Sequence, residues 1–221
     1  MNALSEKMPC RAIVFDFDGT LADSMPFLER IGVEMMMKYF GISKEEATER
    51  YRSTTGLPYE QQVKINFPGH PDCDSAIEEF ERLKIESIFD QELFPDVEDV
   101  VDGLSKRGIE VFVSSSTFQP TIEEYFEKLH LIDRFRGILG YRPGFEKGAD
   151  HFRYINIEYG VDFADMIFVG DSLKDQERAQ GFCRFIAVSR MFSKADFREQ
   201  GHQGPVIFSL SQILDIVNGH E

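Results

Sequence analysis

The chain has 221 residues, 42% of them hydrophobic, and a formal charge of −15 at pH 7. That length and apolar content suffice for a full core and exceed the common size of one small domain, so one core domain plus an insertion is expected. The acidic excess, with no basic run, excludes broad binding to nucleic acid, whose phosphates are held by clustered Lys and Arg; an anionic substrate must be met locally, by a metal ion and a few cations.

The first ten residues carry Glu6 and Lys7 and no long apolar segment, so neither a signal peptide nor a membrane span is expected, and the reading is a soluble cytoplasmic protein. Cys10, Cys73 and Cys183 are an odd set without paired spacing and read as reduced, mostly structural thiols. A strand is predicted over 11–16, and it delivers Asp16 and Asp18 into a turn at Gly19. The period-two rule puts both carboxylates on one side of the extended chain, while Gly19 permits a tight turn and close approach of the backbone to a ligand. Two such carboxylates repel unless a cation or a shared proton separates them, which makes the strand tip a candidate site for Mg²⁺ and a phosphoryl group. Taken alone, the pair also fits an ordinary turn, in which Asp18 and Gly19 serve only as turn residues.

Residues 22–94 contain helix-like stretches and no convincing strand, and they read as an inserted helical domain, leaving 1–21 and 95–221 for the core. Ser43-Lys44-Glu45-Glu46 and Ser75-Ala76-Ile77-Glu78 both fit the capping-box pattern and are each expected to start a helix. In the loop 54–61, Gly56 and Pro58 set a turn from which Tyr59 and Gln61 would meet a substrate, with Arg52 adding a contact to an anionic leaving group; a plain helix connection fits the same residues. Phe94-Pro95-Asp96 marks the return to the core. Helices are then predicted over 97–107, 119–130, 149–159 and 174–180, alternating with strands over 110–115, 137–140, 166–170 and 185–188. This alternation specifies an α/β fold with a parallel sheet covered on both faces, of the kind that binds ligands beyond the carboxyl ends of its strands.

Three of these later segments end in residues suited to phosphate chemistry. The strand 110–115 runs into Ser114, Ser115 and Ser116, small donors for a phosphoryl oxygen or, equally, a loop that satisfies its own backbone. Lys147 precedes the helix at 149, with Gly148 beside it; Arg142 is the alternative cation. The strand 166–170 ends in Gly170-Asp171-Ser172-Leu173-Lys174-Asp175, so Asp171 and Asp175 would join Asp16 and Asp18 as hard oxygen donors, which suit Mg²⁺ better than zinc. His130 and His151 have no partner spacing and read as structural or surface residues.

Asp16-Phe17-Asp18-Gly19-Thr20-Leu21 resembles the nucleophile motif of the haloacid dehalogenase superfamily, and the similarity extends over 11–188. The resemblance implies a Rossmann-like core with a helical cap that covers the active site and helps choose substrates, as in the subgroup of phosphoglycolate phosphatases and β-phosphoglucomutases. It implies a Mg²⁺-dependent phosphatase in which Asp16 attacks phosphorus to form an aspartyl-phosphate. Asp18 would protonate the leaving alcohol and then activate water. Ser115, with Ser114 as the fallback in register and Ser116 as a backbone donor, and Lys147 would hold the phosphoryl oxygens, and Gly19 and Thr20 are assigned to the substrate. Mg²⁺ would be bound by Asp16, Asp171 and the Asp18 carbonyl, with Asp175 orienting metal-bound water or Lys147. Where many relatives carry a proline after the lysine, this chain has Gly148. Dehalogenases and phosphonatases lack the second Asp, so Asp18 points to phosphate esters. The positions where sugar phosphomutases place a histidine, a lysine and an arginine in the cap are Leu28, Thr55 and Tyr59, which favours transfer to water. The expected partner is a small phosphorylated metabolite, and the expected assembly a monomer or homodimer. A sugar phosphomutase and a catalytically silent binding protein of the same fold are the alternatives; a silent relative would be expected to have lost one of Asp16, Asp18, Lys147 or Asp171.

Overall fold

The structure is a computed structural model that describes residues 7–219. A two-residue strand β1 (Met8–Pro9) precedes β2 (Ala12–Phe15), whose four apolar side chains are all buried. A strand with no polar side chain has no face to give to water, so it belongs at the centre of a sheet covered on both sides. That is its position: β2 lies between β3 (Glu110–Phe118) and β5 (Met166–Gly170), in a six-stranded parallel sheet of order β4-β3-β2-β5-β6-β7. The outer members are β4 (Gly137–Tyr141), β6 (Arg184–Val188) and the short β7 (Val206–Ile207). Another short strand, β8 (Val217–Asn218), pairs in parallel with β1. The α/β class read from the sequence is the observed one. The strands β1, β7 and β8 went unpredicted because two residues are too few to show any periodicity.

The chain forms two units, Met1–Leu21 with Leu93–Glu221, and Ala22–Glu92. The second boundary lies before the expected residue 94, because Phe94 donates its N–H to the Leu21 carbonyl at 2.8 Å and so belongs to the sheet unit. Helices of the sheet unit are α5 (Val97–Ser105), α6 (Gln119–Lys128), α7 (Ala149–Tyr159), α8 (Leu173–Ala179), α9 (Lys194–Glu199) and α10 (Ile213–Ile216). Residues Val14, Phe112, Phe168 and Phe185 of the strands pack with Phe152 and Ile155 of α7 in one buried cluster. Phe17, just beyond β2, meets Tyr125 and Phe126 of α6 edge-on, at 4.9 and 5.8 Å between ring centres.

The helical unit holds α1 (Met25–Phe40), α2 (Lys44–Ser53), α3 (Tyr59–Asn66) and α4 (Cys73–Ser87). Ser43 starts α2 as expected, accepting from the Glu46 N–H. Ser75 does not start α4, which begins at Cys73 after Asp72, so the Ser75 pattern falls inside the first turn. Leu28, Ile31, Met36, Ala47, Tyr51, Val63 and Phe80 form the core of this unit. Tyr59, expected to meet a substrate, is instead part of that core. Its ring stacks on Phe80 at 3.8 Å, its hydroxyl donates to the Gly32 carbonyl at 3.1 Å, and only 3% of the residue is exposed. Arg52 is exposed, and its guanidinium grips both carboxylate oxygens of Glu29 at 2.9 and 2.7 Å. Gly56 (φ 92°) lies in the turn between α2 and α3. No helix among the described residues is long and apolar enough to cross a membrane.

A β-carbon added at Gly32 would fall on the ring of Tyr51, nearest its Cε2, and that ring is buried in the core of this unit with 3% of the residue exposed. Overpacking of this kind costs about 1–3 kcal/mol, more than the gain of roughly 1 kcal/mol from replacing a mid-helix glycine. Gly32→Ala should therefore lower the melting temperature by several degrees in a thermal melt followed by circular dichroism.

Candidate active site

The parallel sheet brings the ends of β2, β3 and β5 side by side, since Phe15 is in register with Val113 on one side and Val169 on the other. The residues that follow these positions carry the candidate chemistry. Asp16 extends the ladder by one bond, its N–H donating to the Val169 carbonyl at 2.9 Å. Its carboxylate is buried and held on both oxygens: Oδ1 accepts from the Phe17 N–H at 2.6 Å and from Lys147 Nζ at 2.7 Å, and Oδ2 accepts from the Thr20 hydroxyl at 3.3 Å. Thr20, expected at the substrate, is fully buried and is instead a hydrogen-bond donor to Asp16. Gly19 makes the turn with φ 77°, a conformation most other side chains avoid. Asp18 is half-buried, with Oδ2 3.5 Å from the Thr117 hydroxyl.

Between Ser114 and Phe118 the pairing of β3 with β4 shifts register, and this irregular tip presents the hydroxyl residues. Ser114 is buried, with its hydroxyl 2.8 Å from His151 Nδ1. The Ser115 hydroxyl oxygen accepts from the Thr117 N–H at 3.0 Å, which leaves its proton available for another acceptor. Ser116 is half-buried. Lys147 Nζ lies 2.7 Å from Asp16 Oδ1 and 2.6 Å from Asp175 Oδ1, with 7% of the side chain exposed. Arg142, the alternative cation, is exposed and lies over the Phe145 ring at 4.2 Å, so the lysine alone pairs with Asp16.

Among the described residues, Asp16, Asp171 and Asp175 form a buried group whose carboxylate oxygens lie within 4.8 Å of one another. The charge on Asp175 is well compensated: besides Lys147, Arg178 reaches its Oδ1 at 3.1 Å and the Ser172 hydroxyl donates to its Oδ2 at 2.7 Å. Burial raises its pKa, but the neighbouring Lys147 and Arg178 prevail and hold the carboxyl below its ordinary value. For Asp171 the balance is reversed, with the opposing Lys147 charge outweighed. Burial and the nearby charges of Asp16 and Asp175 push its carboxyl well above the ordinary range. Asp16 is intermediate, pushed up to about 7 by burial with Lys147 opposing. A cluster of oxygens in which two of three carboxyls favour a proton is short of positive charge. Its all-oxygen donor set fits a hard divalent cation such as Mg²⁺.

The sequence profile of haloacid dehalogenase-like hydrolases matches residues 13–188, from β2 to the end of β6. The chain belongs to this family. It is 25% identical over 181 residues to a phosphoglycolate phosphatase of Aliivibrio fischeri, covering 77% of this chain and 79% of that one. It is also 25% identical over 196 residues to a phosphoglycolate phosphatase of Escherichia coli, covering 77% of each. Among solved structures, a haloacid dehalogenase-like hydrolase of Streptococcus pneumoniae has the same fold, with a TM-score of 0.78 at 21% identity over 93% of this chain and 97% of that one. So has CbbY of Rhodobacter sphaeroides, crystallised in complex with phosphate, with a TM-score of 0.71 at 19% identity over 92% and 96% of the two chains.

Arg178 and Thr117 of this hydrolase were not anticipated from its sequence. The spacing of Asp175 and Arg178, three apart at a helix start, was the available signal for the arginine; Thr117 gave none, because its partner Asp18 lies 99 residues away. The same arginine accounts for Gly148. Its φ of 104° is closed to proline, whose ring locks φ near −65°, and a β-carbon there would meet Arg178 Cγ at 3.0 Å. Gly144 has a similar φ of 75° but nothing within 4 Å of an added β-carbon. Gly148→Ala should thus lower the melting temperature more than Gly144→Ala, the two variants being compared in parallel scanning calorimetry.

Proposed function

We propose that this hydrolase is a Mg²⁺-dependent phosphatase that transfers the phosphoryl group of a small metabolite ester to Asp16 and then to water. The observation that carries the reading is the buried Asp16 carboxylate, paired with Lys147 at 2.7 Å at the carboxyl edge of the sheet and followed two residues later by a second acid. An Asp16 oxygen attacks phosphorus as the ester P–O bond breaks, and Asp18 gives its proton to the departing oxygen. Asp18, now a carboxylate, takes a proton from water while the water oxygen attacks phosphorus and the bond to Asp16 breaks, releasing inorganic phosphate. The Ser115 hydroxyl, the Ser116 N–H and the Lys147 ammonium stabilise the phosphoryl oxygens throughout.

Asp16, Asp171 and the Asp18 carbonyl would hold the Mg²⁺, which supplies the positive charge that lets a carboxylate and a phosphate approach. Asp175, already bound by Lys147 and Arg178, sets the lysine in place rather than serving as a ligand. Transfer to water is favoured over transfer to a sugar by the helical unit, where Leu28 and Tyr59 are 6% and 3% exposed and are core residues. The names of the Aliivibrio and Escherichia relatives make phosphoglycolate the first ester to test, with sugar phosphates and nucleotides as the rest of the panel.

Phosphate release from this panel should require Mg²⁺ and fall by at least about a thousandfold in Asp16→Asn, in line with loss of a covalent nucleophile. Turnover retained by Asp16→Asn would remove Asp16 as nucleophile, and no release from any ester would overturn the phosphatase reading. The cluster also sets a pH dependence. The Asp16 carboxyl is raised from 3.8 to about 7 in the folded chain, so between those values the native state binds more protons than the unfolded one. Without metal, this contribution makes stability fall as pH rises through that interval. Mg²⁺ competes with the same protons, so it should raise the melting temperature more at about pH 8 than at about pH 5.5. Equal increments at the two pH values in a fluorimetric melt would refute metal binding at this cluster.

A further inference from the structure

His151 is fully buried, and no step of the reaction uses it. Its Nδ1 lies 2.8 Å from the hydroxyl of Ser114, which is itself completely buried. Ser114 is two residues beyond Phe112, so it shares the sheet face on which Phe112 packs with Phe152 and Ile155 of α7. Ser115, the next residue, is on the opposite side of the strand.

Position along the strand gives this bond its weight. Ser114 pairs with Leu139 in the last step before the register shifts, and pairing resumes only at Phe118 with Tyr141, so no β3–β4 pair holds Ser115 and Ser116 in between. On the other side, His151 lies in the first turn of α7, four residues after Lys147. The Phe145 ring, two residues before Lys147, packs on the imidazole with 4.5 Å between ring centres. Phe145 is anchored in turn by reciprocal backbone bonds with Arg142, at 2.8 and 3.1 Å. The imidazole therefore touches both the strand tip and the loop that carries the lysine. Burial pulls its pKa down to about 3, so at neutral pH it is an uncharged ring with one donor and one acceptor, and it adds no cation beside Lys147.

We infer that His151 is a positioning residue: through its bond to Ser114 it sets the Ser115 hydroxyl at a working distance from Lys147, so that both meet the same phosphoryl group. This rests on the phosphatase reading above. Its ligand is the phosphate moiety, and inorganic phosphate is the probe.

His151→Leu and Ser114→Ala each remove the bond with little change in volume, and His151→Asn keeps a polar atom near the place of Nδ1. Each bond-breaking variant should raise the inhibition constant for inorganic phosphate and lower kcat/KM about tenfold or more, the scale expected when a positioned group moves by a fraction of an ångström. The double variant should be no worse than the worse single one, because the Ser114–His151 bond is common to both changes. His151→Asn should recover most of the loss, and the Mg²⁺-induced rise in melting temperature should persist in all variants, since no metal ligand is altered. Wild-type phosphate inhibition and kcat/KM in Ser114→Ala and His151→Leu, with only the melting temperature lowered, would show the bond to be structural and overturn the inference. Additive losses in the double variant would overturn it too. Should His151→Leu fail to fold, Ser114→Ala and His151→Asn decide the matter alone. A wild-type protein that releases no phosphate would instead defeat the phosphatase reading, so the two failures are distinguishable.

Discussion

A lysine ammonium withdrawn from water must find its charge partners inside the protein, because the effective penalty of burying an ion is several kcal/mol. Lys147 meets this demand with two carboxylates, Asp16 at 2.7 Å and Asp175 at 2.6 Å, and much of the sheet unit serves to bring them there. Asp175 is fixed from behind by Arg178 and Ser172, which leaves its charge satisfied without the active centre. Asp16 is fixed by the Phe17 N–H and the Thr20 hydroxyl. For Asp171, burial and the charges of Asp16 and Asp175 outweigh Lys147, and its carboxyl is raised for that reason. The cluster therefore divides into a satisfied half that orients the lysine and an unsatisfied half that seeks a cation.

Parallel pairing makes this concentration of charge possible. All strands of the central sheet run the same way, so their carboxyl ends lie along one edge, and residues far apart in the chain become neighbours. Asp16 and Lys147 are separated by 131 positions and share a hydrogen bond. Phe112, Phe152 and Phe168 pack in the buried cluster that supports these strands, and a reaction at phosphorus requires its donors to be held in place.

Two differences between the sequence reading and the structure, at Tyr59 and Thr20, have a common cause: a side chain with two uses was already engaged within its own unit. Tyr59 has the chemistry to meet a ligand, but its ring completes the stack with Phe80 and its hydroxyl satisfies the Gly32 carbonyl. Thr20 has a hydroxyl suited to phosphate, yet it is buried and points at Asp16. Ser75 differs for another reason: it fits a capping pattern, but the helix has already begun at Cys73. Tyr59 is taken by partners distant in the chain, whereas Thr20 and Ser75 are decided by residues within four positions.

The sequence by itself determined the α/β class, the strands 12–15 and 166–170 with acids at their tips, and the family, because these features are local: apolar runs, glycine turns and carboxylates a few residues apart. Tertiary structure alone decided the partners. Nothing near Thr117 announces Asp18, nothing near His151 announces Ser114, and Arg142 stays an alternative to Lys147 until one is found over Phe145 and the other between two aspartates. Charge compensation and hydrogen bonding act over a few ångströms in space, and only the folded sheet brings such distant positions that close.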